Sequence, residues 1–188
     1  AEAGARFIDV NVDEIAPRRE TQIRAIRWLV ELLSPISPVP LSIDSSNLDI
    51  IRAGFDAHTG TGPTPMLNSA SLERLEALDL AAETGCDVIV TAAGDSGMPS
   101  GTAERVANAT AMVEHATNRG IEHERIYIDP LVFPISVDGQ FGNHCLDAIR
   151  ELRQQLGTEI WITGGMSNVS FGLPFRRLLN DAFLVLAV

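Results

Sequence analysis

A chain of 188 residues is one domain's worth of polymer, and its composition, 45% hydrophobic and 21% charged, is that of a soluble globular protein able to bury a substantial core. Its net charge is −11 and all 14 basic residues are Arg, so the surface repels phosphate backbones and nucleic acid is not an expected partner. The absence of Lys excludes Schiff-base chemistry, a P-loop lysine and covalent pyridoxal phosphate. No apolar run reaches the length of a membrane span and no stretch has the layout of a signal peptide, so the expectation is a cytoplasmic protein with no membrane partner.

Along the chain, short apolar strands alternate with amphipathic helices. "RFIDVNV" (6–12) reads as a strand and 20–33 as a helix with Ile23, Ile26, Val30 and Leu33 on one face. "VPLSID" (39–44) is the next strand, followed by a short helix over 47–53 that Gly54 is expected to stop. "PMLNSA" (65–70) leads to a helix at 72–84 ended by Gly85. "DVIVTA" (87–92) leads through a Gly/Ser/Pro loop to a helix at 103–119, with Thr102 as the expected N-cap and Val106, Ala109, Val113 and Ala116 as its buried stripe. "RIYIDPL" (125–131) precedes a helix at 143–156, where Leu146, Ile149 and Leu156 are apolar and Arg153 is an outward break before Gly157. "EIWIT" (159–163) precedes a last helix, with Pro174 suited to its first turn and Phe175, Leu178, Leu179, Ala182, Phe183 and Leu186 as its apolar face.

Strands separated by helices imply a parallel sheet with helices packed outside it. A doubly wound sheet and a (β/α)8 barrel share that pattern, and the placement of polar residues separates them. In nearly every unit they cluster at the C-terminal end of the strand: Asp9 and Asn11, Asp44 and Asn47, Asn68 and Ser69, Asp95, Asp129, Ser167 and Asn168. A ring of such residues is the barrel arrangement, whereas a doubly wound sheet gathers its site at one switch point over a Gly-rich loop. "GTGPTP" (60–65) precedes a strand and is read as a loop. The expected fold is therefore a TIM (β/α)8 barrel with about six of its β/α units. Residues 1–188 form one barrel domain in this reading, with a unit missing at each end, because both ends read as cut.

Cys86 and Cys145 are far apart and form no CxxC, so they read as reduced thiols. His144 beside Cys145 invites a metal-site reading, but adjacent helical residues point in different directions and no third ligand is spaced nearby. No metal is expected.

Several ring residues have two readings. Asp44 in "SIDSSN" is either an N-cap or, with Ser45 and Ser46 able to cap, a group left for the site. Asn68 in "MLNSAS" is either a turn former or a fixed hydrogen-bonding amide. Asp129 in "YIDPL" is held extended by Pro130 and must either pair with an Arg or meet a ligand. Two carboxylates and two amides around one cavity suit a flat, neutral heterocycle with an amino-and-ring-NH edge, as in a pterin or guanine, and the lack of Lys argues against a guanine nucleotide with its phosphates. In "EIWITGGMSNVS" (159–170), Gly164 and Gly165 follow the strand and leave room for such a ring, and Ser167 and Asn168 come next.

"IDVNVD", "IDSSN", "MLNSAS", "YIDPLVFP" and "GGMSNVSFGLPFRRLLNDAFL", in that order, resemble the pterin-binding methyltransferase family, most of all the methyltetrahydrofolate:corrinoid methyltransferases. The folate module of cobalamin-dependent methionine synthase and dihydropteroate synthase are related to it. The resemblance implies a TIM barrel that moves a methyl group from N5 of methyltetrahydrofolate to the cob(I)alamin of a separate corrinoid protein, and a homodimer. It implies that Asp44, Asn68 and Asp129 bind the pterin and that Asn168 is the catalytic residue that assists N5; Asn11 and Asp95 (and Asp9) are further pterin-site candidates because each lies at a strand end or in the loop that follows it. The Gly/Ser-rich loop over 93–101 is expected to move to admit the corrinoid. A methionine synthase folate module and a non-catalytic folate-binding barrel are the alternative readings.

Overall fold

The computed structural model describes residues 4–60 and 62–188. Six strands alternate with six helices: β1 (Ile8–Asn11), α1 (Arg19–Leu33), β2 (Leu41–Asp44), α2 (Leu48–Ala57), β3 (Met66–Ala70), α3 (Glu76–Thr84), β4 (Val88–Thr91), α4 (Thr102–Thr117), β5 (Ile126–Asp129), α5 (Gln140–Leu156), β6 (Trp161–Ile162) and α6 (Arg176–Ala187). Short 3-10 turns at His123–Arg125 and Met166–Ser170 flank β5 and β6. The sheet order follows the sequence, β1-β2-β3-β4-β5-β6, and β1–β2, β2–β3 and β5–β6 pair in parallel. Sequential order with a helix in every crossover is the connectivity of a (β/α) barrel and differs from the reversing order of a doubly wound sheet.

The chain divides into two compact units. The first runs through Ala70 and then takes Glu76–Ile89; the second takes Ser71–Leu75 and Val90–Val188. Within the first, side chains alternate across the strands. Val10, Ile43 and Leu67 are buried, while Asp9, Asn11, Asp44 and Asn68 occupy the other face. Ile26 and Val30 of α1 and Ile50, Ile51 and Ala53 of α2 are buried with them. Gly54 does not stop α2, which continues to Ala57. A Cβ at Gly54 would stand 2.9 Å from Cγ2 of Ile43 and 3.3 Å from Cγ1 of Ile26, so the glycine allows α2 to sit close on β2 and α1. Asn47, rather than Ser45 or Ser46, caps α2: its Oδ1 accepts the Asp49 N–H at 2.9 Å. Helix α3 begins at Glu76, later than expected, because Ser71–Leu75 turns first, with Arg74 N–H donating to the Ser71 carbonyl.

In the second unit α4 buries the expected stripe of Val106, Ala109, Val113 and Ala116, and with it Arg105 and Met112. Thr102 is the first helical residue rather than the cap. Gly101 takes the cap position, and the Thr102 hydroxyl donates instead to the His144 carbonyl of α5. Helix α5 starts earlier than expected because Asp138 Oδ1 accepts the Gln140 N–H at 2.8 Å. Arg153 is half-buried and turns back onto the carbonyls of Gly157 and Ile160, which is not the outward break expected of it. Pro174 precedes α6 instead of lying in its first turn, since Phe175 adopts a left-handed conformation (φ 56°) just before the helix. Of the apolar face expected on α6, Phe183 is buried against Val132, Cys145, Leu146, Ile149 and Val169, whereas Phe175, Leu178 and Leu186 are exposed. Among the described residues, no helix is long and apolar enough to cross a membrane.

Candidate functional site

The first unit places a polar row at the C-terminal ends of its strands. Asn11, Asp44 and Asn68 are register partners on β1, β2 and β3. Equal register on parallel strands sends their side chains to the same face. Asn11 Nδ2 donates to Asp44 Oδ2 at 2.8 Å, and its Oδ1 accepts the Asp13 N–H at 2.8 Å. Below that row, Asp9 Oδ1 accepts from Ser42 Oγ at 2.8 Å and from Asn68 Nδ2 at 3.4 Å, and Asn68 Nδ2 also lies 3.3 Å from Ser42 Oγ. The amide of Asn68 is therefore oriented by a carboxylate and a hydroxyl from the two preceding strands.

Asp13 is a residue the sequence pattern did not single out. Its Oδ1 accepts the Ser45 hydroxyl at 2.5 Å, and its Oδ2 accepts the Ser46 N–H and hydroxyl, each at 2.8 Å. One carboxylate thus organises the loop that follows Asp44. Its signal was the "VNVD" spacing: a second acid two residues beyond Asn11, past the end of the strand.

The second unit builds a separate cluster on β5 and β6. Asp129 is half-buried at the end of β5, and burial pushes its carboxyl up to about 6; the hydrogen bond from the Leu131 N–H, at 2.8 Å to Oδ1, pulls in the opposite direction. Among the described residues no Arg pairs with it. The glycines after β6 are fitted to two side chains. A Cβ on Gly164 (φ +156°) would come within 2.9 Å of Asp129 Oδ1, and a Cβ on Gly165 within 2.8 Å of Asn168 Nδ2. The space they leave is taken up by a carboxylate and an amide of the protein itself, not by the open room for a ring expected from the sequence.

Asn168 lies in the 3-10 turn Met166–Ser170 and is exposed, with its N–H bonded to the Gly165 carbonyl at 2.9 Å. Its side-chain amide makes no hydrogen bond among the described residues, so two donors and an acceptor face outward from a braced turn. The brace is Arg176, from the first turn of α6. Nη2 donates to the Ser167 carbonyl at 3.0 Å and Nε to Ser170 Oγ at 3.1 Å, while the Ser170 hydroxyl donates to Asn180 Oδ1 at 2.7 Å. The β5–α5 loop adds two further ties, Ile135 N–H to the Val169 carbonyl at 3.0 Å and Ser136 Oγ to the Phe171 carbonyl at 2.6 Å. The "RR" after "GLPF" was visible in sequence, but which carbonyls it reaches was not.

Asp95 is exposed at the tip of a tight turn closed by Gly94 N–H on the Gly97 carbonyl at 2.9 Å. It lies at the tip of that loop, in the second unit. Cys145 is buried, and burial drives its thiol up to about 12, so it is protonated and a poor nucleophile at neutral pH. Among the described residues, no group of three or more His, Cys, Asp or Glu is arranged to hold a metal ion.

Strand-end carboxylates and amides on a sequentially ordered parallel sheet are the layout of an α/β barrel-type scaffold. The chain belongs to the pterin binding enzyme family, whose profile matches residues 1–188. It is similar to the methylcorrinoid:tetrahydrofolate methyltransferase of Eubacterium limosum, 31% identical over 193 residues that cover 100% of this chain and 69% of that protein. It is also similar to the methionine synthase of Mycobacterium leprae (strain TN), 28% identical over 196 residues, 96% of this chain but 16% of that much longer protein. Among solved structures it resembles the dihydropteroate synthase from Xanthomonas albilineans in complex with 7,8-dihydropteroate (22% identity, TM-score 0.70, 99% of this chain and 70% of that one). At that identity the likeness speaks for the fold, and it agrees with the TIM-barrel connectivity of the strands.

Proposed function

We propose that this enzyme transfers a methyl group between N5 of methyltetrahydrofolate and the cobalt of a corrinoid carried by a separate protein, with methyltetrahydrofolate as donor and cob(I)alamin as acceptor. The observation that carries the reading is the arrangement after β6. Two glycines clear space for Asp129 and Asn168, and a braced turn then presents an exposed amide with no partner of its own. The family membership and the methyltransferase relative support the pterin substrate and the methyl chemistry.

In this reading Asp129, Asp44 and Asn68 hold the pterin, and Asn11 supports it through Asp44. An ionised carboxylate accepts the paired N–H groups of an aminopyrimidinone edge, and amides supply the complementary contacts. The reduced cobalt of the partner's corrinoid is the nucleophile, so the protein needs no Ser, Cys or Lys nucleophile. Its task is the leaving group: a tertiary amine leaves poorly until a proton or hydrogen bond develops at N5. Asn168 hydrogen-bonds N5 as that charge develops, an interaction stronger in the transition state than in the ground state and therefore one that raises rate. Because a reaction and its reverse share one transition state, the same residues serve transfer in either direction.

The test is a methyl-transfer assay with 5-methyltetrahydrofolate and free cob(I)alamin, followed by the absorbance change on formation of methylcobalamin. Turnover that saturates with the folate supports the reading. Folate binding without transfer would make this a non-catalytic folate-binding barrel, and no folate binding would overturn the assignment.

A further inference from the structure

Arg105 is completely buried within α4 (0% exposed), yet among the described residues no carboxylate pairs with it. Nε donates to the Leu131 carbonyl at 3.3 Å, Nη1 donates to the Gly101 carbonyl at 3.0 Å, and Cζ stands 4.6 Å above the Phe133 ring. Nη2 is buried without a hydrogen bond. Interring a guanidinium on these terms is costly, and an apolar side chain on the same stripe would carry no such penalty. The charge is therefore held for something other than packing.

What it holds is Leu131. This residue has φ +65°, a left-handed conformation that L-residues with a side chain rarely adopt. Its carbonyl is bound by Arg105 and its N–H donates to Asp129 Oδ1 at 2.8 Å. The two groups flank one Cα, so pinning the carbonyl resists the rotation that would relax the strain and turn the N–H away from the carboxylate.

We propose that Arg105 is a positioning residue, which fixes the Asp129 carboxylate for ligand binding through the backbone of Leu131. The inference rests on the reading of Asp129 as a pterin-binding group. It is distinct from the brace on Asn168, which Arg176 supplies on the other side of the cluster.

The experiment is a double-mutant cycle on the full chain: Arg105→Lys, Asp129→Asn and both together. Affinity for 5-methyltetrahydrofolate is measured by calorimetry, and the Leu131 amide is followed by proton–nitrogen NMR. The expected result is a loss of about tenfold in affinity for R105K, the size of one hydrogen bond to a charged group, no further loss when D129N is already present, and a moved Leu131 amide. Parental affinity in R105K overturns the proposal, and so does an equal loss with and without D129N, since that marks a general loss of stability. If D129N alone binds the folate as tightly as the parent, the pterin assignment of Asp129 fails. The NMR then decides separately: a displaced Leu131 amide in R105K upholds the relay, and an unmoved one ends it. Should R105K not fold, Phe133→Leu, which removes the ring under the guanidinium and leaves Arg105 in place, takes its position in the cycle with the same expected signs.

Discussion

Gly164 and Asp129 are fitted to one another: a Cβ on Gly164 would lie 2.9 Å from Oδ1 of Asp129, the same oxygen that receives the Leu131 N–H. Any other residue at 164 must therefore push the carboxylate off its backbone donor or move the chain after β6. Gly164→Ala is expected to weaken folate binding by about tenfold, the cost of disturbing one charged hydrogen bond. Gly165→Ala meets the Asn168 amide at 2.8 Å instead, so it is expected to slow methyl transfer while leaving folate affinity nearly unchanged. Calorimetry and single-turnover rates on both variants check the division; equal effects of both on both quantities would refute it.

Asn168 is exposed and its side chain stabilises nothing in the fold. Asn168→Ala is therefore expected to unfold at the parental denaturant midpoint and to bind folate within a few-fold of parent. Its transfer rate is expected to fall by the equivalent of about 2–4 kcal/mol, the usual loss for one donor aimed at developing charge. Methyl transfer at the parental rate would remove Asn168 from the mechanism.

Gly54 makes a prediction about stability alone. In an exposed helix, Gly→Ala is stabilising by about 1 kcal/mol. Here the new methyl would press on Ile43 and Ile26, with 2.9 Å to Ile43 Cγ2. Gly54→Ala is expected to destabilise by about 1–3 kcal/mol, as overpacking does. Urea denaturation gives the sign directly.

The same residue shows where sequence reading succeeds and where it stops. The 2-fold and 3.6-fold periods placed every strand and helix, because burial imposes those periods on the chain. They also placed Asp44 and Asp129 at strand ends, since an apolar run must end where its polar neighbours begin, whereas Asn68 lies inside β3 and Asn168 in a 3-10 turn beyond β6. Gly54 looked like a helix stop because sequence does not distinguish a glycine needed for its backbone freedom from one needed for its missing side chain. Thr102 looked like a cap for a similar reason: its hydroxyl is taken by the His144 carbonyl, a partner far along the chain. Asp13, Arg105 and Arg176 escaped notice because their roles consist of contacts to loop backbone, which no local pattern encodes.

Asp129 ties stability to binding in opposite directions. Burial raises its carboxyl from the ordinary 3.8 to about 6. Below about pH 3 the group is largely neutral in both folded and unfolded chains and has little effect. From there to about pH 6 the unfolded chain releases the proton while the folded chain keeps it, so the folded state binds more protons and stability falls as pH rises; above about pH 6 the loss is complete. Asp129→Asn removes that penalty, and the variant is expected to be more stable than the parent by about 1–3 kcal/mol at pH 7.5 and nearly equal to it at about pH 3. Folate binding runs the other way. If the ionised carboxylate receives the pterin N–H groups, parental affinity should decline as pH drops through about 6, and in Asp129→Asn it should be weak and show a flatter response over that range. Urea melts and calorimetry at both pH values measure the two effects. A variant that loses stability at pH 7.5, or a parent whose folate affinity is unchanged from pH 7.5 to 5, contradicts a strained carboxylate kept charged for its ligand.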